Sequence, residues 1–127
     1  MANTFKLKTK ANVGVTTVGI YTAPAATTTV VIGITMANTS GSGVNVGVGI
    51  TRAGTTEDVK LLKNAPIPSG SSLEFMYGNK IVLEATDTVT VDSDTNNSVD
   101  ASLTIMENYI TWHSPRLQVR LLTIPLA

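Results

Sequence analysis

The sequence contains no cysteine, few aromatic residues and few charges. Without cysteine there are no disulfide staples, thiolate metal ligands or thiol nucleophiles. Aromatics make up 5% of the 127 residues, so a core must be assembled from valine, isoleucine and leucine. Charged residues make up 14%, well under the roughly 25% of an ordinary soluble domain. A surface left to Thr, Ser, Asn and Gly is what partners commonly cover. A single histidine, His113, rules out a histidine metal cluster. No stretch approaches the ~18 apolar residues of a membrane-spanning helix, and Met1 to Lys10 lacks the apolar core of a signal peptide. The expectation is a chain that folds in the compartment where it is made, with no membrane partner and no cofactor.

The length fits one domain with a real core and is too short for two. With no staples, stability falls to packing or to neighbouring subunits. Formal charge is zero but unevenly spread. Up to Lys63 there are six basic residues against Glu57 and Asp58; from Asn64 there are three against seven acids. This balance argues against nucleic acid, whose binding needs a clustered positive excess. Opposite-signed faces, if the halves form them, suit docking between subunits.

The chain is organised around Asn64-Ala65-Pro66-Ile67-Pro68-Ser69-Gly70. Its two prolines fix φ and remove backbone donors, so this piece is expected to be a rigid extended crossover that no central strand could contain. After it come Leu73 to Tyr77 and Ile81 to Glu84, a tight turn at Ala85-Thr86-Asp87, and the alternation of Thr88 to Val91.

Upstream, Phe5 to Lys10 alternates apolar residues with lysines and predicts a half-buried edge strand, lysines outward to discourage aggregation. Val13 to Thr22 changes phase near Thr16-Thr17, which predicts a bulge or turn. Thr27 to Met36 is the strongest strand; Ala37 to Gly43 is a turn by composition; Val44 to Ile50 alternates again. The two strands are expected to pair as an antiparallel hairpin. Gly47 and Gly49, opposite the valines, mark close approach by another backbone, a neighbouring subunit's included, or a weak strand. Val59 to Lys63 returns into the crossover, and Val99 to Met106 closes the alternating pattern after a polar loop at Asp92 to Ser98.

The fold class is therefore all-β, an antiparallel β-sandwich or jelly-roll-like barrel of about eight strands. Residues 1–107 form the sandwich domain and residues 108–127 a C-terminal arm or added strand. That ending is apolar where termini are usually polar and frayed. Laid along a foreign sheet edge, it would act by strand addition. Lys6, Lys8 and Lys10 on the edge strand, and Trp112, Arg116, Leu117, Val119, Arg120, Leu121, Ile124 and Leu126 in the arm, are the candidate contact residues.

Constellations for chemistry fall short. Asp92-x-Asp94-x-Asn96 begins like a calcium loop, but position twelve is Leu103 and supplies no carboxylate. No serine lies in a Gly-x-Ser-x-Gly elbow. Glu74, Glu84 and Asp87 gather near the crossover, yet Glu74 and Glu84 alternate with core residues and should point outward rather than form a glycosidase pair.

Tyr21 to Ile34 through Ala37-Asn38-Thr39, and Asn64 to Leu73 through Lys80 to Asp87, resemble small virion structural proteins of tailed bacteriophages, of cyanophage and marine phage type. The likeness spans about residues 4 to 107, carried by the Ala-Pro-Ile-Pro-Ser-Gly and Leu-Glu-Ala-Thr-Asp turns in order. The resemblance implies a non-enzymatic, multicopy particle component in the virion, assembled in the host cytoplasm. Its partners would be major capsid or tail subunits and copies of itself, as a trimer or higher oligomer. A capsid decoration or cement protein leads; a neck, tail or baseplate component, or a carbohydrate-binding adhesion module, is the alternative.

Overall fold

The computed structural model describes residues 3–76 and 80–109. They form nine strands: β1 (Asn3–Val13), β2 (Val18–Thr22), β3 (Thr27–Asn38), β4 (Val44–Arg52), β5 (Glu57–Ile67), β6 (Ser72–Phe75), β7 (Ile81–Leu83), β8 (Thr88–Ser93) and β9 (Val99–Tyr109). All pairings are antiparallel, in two sheets. The first runs β1-β9-β3-β6, with β7 pairing further along β3; the second runs β2-β8-β4-β5. The protein is an all-β sandwich.

Alternation explains the layers. Ile34 and Met36 of β3, Val46 and Val48 of β4, Val91 of β8, and Val99, Leu103 and Ile105 of β9 are fully buried between the sheets. Burying an aliphatic side chain contributes about 1.5–3 kcal/mol, so a core this short of aromatics can still hold.

The hairpin expected of β3 and β4 does not form: β3 lies in the first sheet and β4 in the second. Asn38 makes the corner. Its buried side chain donates to the carbonyls of Ser42 and Ile67 and accepts from the amide and hydroxyl of Ser40. A buried amide satisfied on both ends turns the chain towards the other layer instead of back along its own. β4 pairs instead with β5 and β8. The segment 64–70 behaves as the two prolines require. Pro66 sits in β5, the edge of the second sheet, and the chain then passes through Gly70 (φ 73°) into β6 of the first.

The glycines of β4 meet their own chain. Lys63 and Asn64 together oppose Gly47 in a bulge of β5, with Asn64 at φ 54°. A Cβ on Gly47 would lie 2.6 Å from Asp92 Oδ1 and 3.3 Å from the Leu62 carbonyl; one on Gly49, 2.9 Å from the Val59 carbonyl. The close approach is intramolecular.

The two halves of the sequence are not two faces. Each sheet takes strands from both halves, and the ion pairs Lys6–Glu107, Arg52–Glu84 and Arg52–Asp87 each join a cation before residue 64 to an acid after it. Opposite-signed faces along that division are thus corrected to charges interleaved within one sandwich.

Candidate assembly interface

β1 is the edge of the first sheet, with β9 on one side and no partner strand among the described residues on the other. Its register decides which side chains face inward. Lys6, Lys8 and Lys10 pair with Ile105, Leu103 and Ala101, all buried on the core face of β9. Phe5 and Leu7 pair with Met106 and Thr104 and point away from the core, at 69% and 66% exposure. The strand expected to bury its apolar side instead turns that side outward, and the lysine row lies on the core-facing side, where only Lys8 is half-buried.

Glu107 gives the reason. It lies on the core face of β9, almost completely buried, and a buried carboxylate needs cations and donors. Lys6 Nζ lies 2.9 Å from Oε1, and the Tyr21 hydroxyl donates to Oε2 at 2.6 Å. With its proton committed there, the Tyr21 oxygen accepts from Thr29 Oγ1 at 2.8 Å. Lys8 Nζ sits 5.9 Å from the Tyr21 ring centroid, within cation–π range. Lys6 and Lys8 thus turn their stems along the core-facing side of β1 and bring their ammonium groups to Glu107 and Tyr21. Burial, then the carboxylate partner, push the Tyr21 hydroxyl up to about 12. The Tyr21 hydrogen bond, then that of Lys6, hold the Glu107 carboxyl below its ordinary 4.5. Lys10, beyond this network, is exposed.

The outward row does not stop at β1. Phe5 pairs with Met106, Met106 with Val30, and Val30 with Val82 of β7, so one apolar row crosses four strands. Val82 is 59% exposed. Alternation in β9 was readable, but the row also needs the register shift between Val31 and Gly33, which turns Val30 away from the face of Ile34 and Met36, and the pairing of β1 and β7, which no single strand's pattern carries.

The carboxylates near the crossover do not converge. Glu74 is exposed on β6, paired with Thr35. Glu84 and Asp87 are bridged by Arg52, whose Nη2 lies 2.7 Å from Glu84 Oε1 and whose Nε lies 3.0 Å from the buried Asp87. A guanidinium set between them ties the end of β4 to the turn after β7. Asp94 of the calcium-like loop accepts from the Asn45 amide instead, and Asp92 from Thr17. Among the described residues no group of three or more His, Asp or Glu side chains could hold a metal. The arm candidates Trp112, Arg116, Leu117, Val119, Arg120, Leu121, Ile124 and Leu126 lie outside the described residues.

No protein-family model matches the sequence, nor does any curated protein. The fold is similar to that of two solved structures. One is a Bacillus endospore appendage protein, from a family described as disulfide-linked pili: TM-score 0.52, 15% identity, 87% of this chain and 88% of that one. The other is a protein of the T13 IBDV viral particle: TM-score 0.53, 12% identity, 84% of this chain but 31% of that one. These likenesses show a shared β-sandwich. This chain, having no cysteine, cannot form the disulfide link named for the pili.

Proposed function

We propose that the protein is a non-enzymatic structural subunit of a phage virion, a decoration or cement protein that bridges neighbouring subunits of the capsid. The observation that carries this reading is the outward apolar row. A lone domain gains nothing by placing Phe5 and Leu7 in water, whereas a subunit that is covered in its assembly does. The sandwich shared with a pilus protein and a viral-particle protein supports the same reading, as do the turns that resemble phage virion proteins. The role is mechanical: many copies, each making modest contacts through β1 and the C-terminal arm, add their affinities over a symmetric particle.

Light scattering on the purified full-length chain tests the premise. The expected result is a trimer or larger closed oligomer at micromolar concentration; a monomer at every concentration up to millimolar overturns it. In purified particles the copy number should match a shell lattice rather than a tail or neck ring.

A further inference from the structure

Resting on that assembly role, we infer that the apolar row on the outward face of the first sheet is the seat for residues 117–121 of a second copy of this chain. The row Phe5–Met106–Val30–Val82 crosses four adjacent strands and so spans about 14 Å at the usual ~4.8 Å strand spacing. The sequence beyond β9 holds a matching piece. Leu117, Val119 and Leu121 alternate with Arg116, Gln118 and Arg120. In extended form the three apolar side chains share one side and span about 13 Å, leaving the arginines on the other.

For a tail that turns back tightly after Tyr109, the same chain's row is out of register. A tight reversal just after Tyr109 would return residues 117, 119 and 121 over Thr104, Ser102 and Asp100, the polar end of the outward face. A tail reaching another subunit has no such constraint, and the eight residues from Tyr109 to Leu117 reach up to about 26 Å when extended. Seating on the face, rather than hydrogen bonding to the free edge of β1, also keeps Arg116 and Arg120 away from Lys6, Lys8 and Lys10.

The lack of cysteine makes the test clean. Full-length Val119→Cys and Met106→Cys proteins are mixed and oxidised, and the products are resolved by mass under denaturing conditions. The expected result is a heterodimer formed at least tenfold more than between Val119→Cys and Lys60→Cys, which places the thiol at an exposed position of β5 in the second sheet. Leu121→Asp should weaken self-association at least tenfold with an unchanged circular dichroism spectrum. Equal or absent cross-linking while light scattering still shows the oligomer overturns the seat and leaves the assembly role standing. A double-cysteine chain that closes only on itself also overturns it, because the tail then covers its own sheet. A monomeric parent protein would instead remove the assembly role.

Discussion

Glu107 joins β9 to Tyr21 of β2 and Lys6 of β1, and its protonation should be measurable in the stability of the fold. Its carboxyl is held below 4.5 in the folded protein by Tyr21 and Lys6, while in the unfolded chain it takes its ordinary value. A depressed native pKa means the stabilisation is fully present above about 4.5 and is lost as pH falls through the native value. Glu107→Gln keeps an acceptor for Tyr21 but not the charge. It should cost about 1.5–3 kcal/mol at pH 7, the range for hydrogen bonds to charged groups. The Lys6 ion pair adds little to this, because the lysine side chain is 43% exposed. Urea denaturation across pH 7 to 3 should show the difference between parent and variant shrinking towards zero at the acid end. A constant difference would mean that Glu107 titrates alike in both states. Tyr21 works in the opposite sense: raised to about 12, it contributes fully below pH 10 and loses its contribution as pH rises through 12.

At the scale of elements, β1 is the place where alternation misleads. Period two says that Phe5 and Leu7 share a side and the lysines the other; it does not say which side is wet. The register with β9 turns the lysines inward, so Phe5→Thr and Leu7→Thr should each change the stability of the domain by less than about 0.5 kcal/mol, as surface substitutions do. Threonine keeps the strand preference of the site. Leu103→Ala, in the opposite orientation, should cost about 2–5 kcal/mol. Chemical denaturation at submicromolar concentration separates the two cases. A loss above about 3 kcal/mol for Phe5→Thr would place that ring in the core after all. The inward sets of β4, β8 and β9 were legible because their alternation holds from end to end; that of β3 was legible only from Ile34 on, because the register shift between Val31 and Gly33 puts Val31 in the core and Val30 outside it. So were the turn at 85–87, where the Asp87 amide bonds the Glu84 carbonyl, and the proline-bearing edge. What escaped was non-local. The five residues between β3 and β4 suit a hairpin or a change of sheet equally, and only the contact of Asn38 with Ile67 settles it. The burial of Glu107 likewise depends on Tyr21 and Lys6, far away in sequence.

For the whole molecule, the question is whether folding and association are one equilibrium. An outward apolar row and a fold without disulfides suggest that part of the stability resides in contacts between copies. Anything that binds only the folded form raises apparent stability with its own concentration, and here that ligand is another copy. Each tenfold rise in protein concentration should then add up to about 1.4 kcal/mol. For a domain of this size that corresponds to a rise in melting temperature of roughly 3–6 °C. Differential scanning calorimetry of the full-length chain over two decades of concentration should show this climb, and Leu121→Asp should flatten it. A melting temperature independent of concentration in the parent would mean that the sandwich stands by itself. The apolar row would then be left without a thermodynamic reason in a second copy, and its partner would have to be sought in a different protein of the particle.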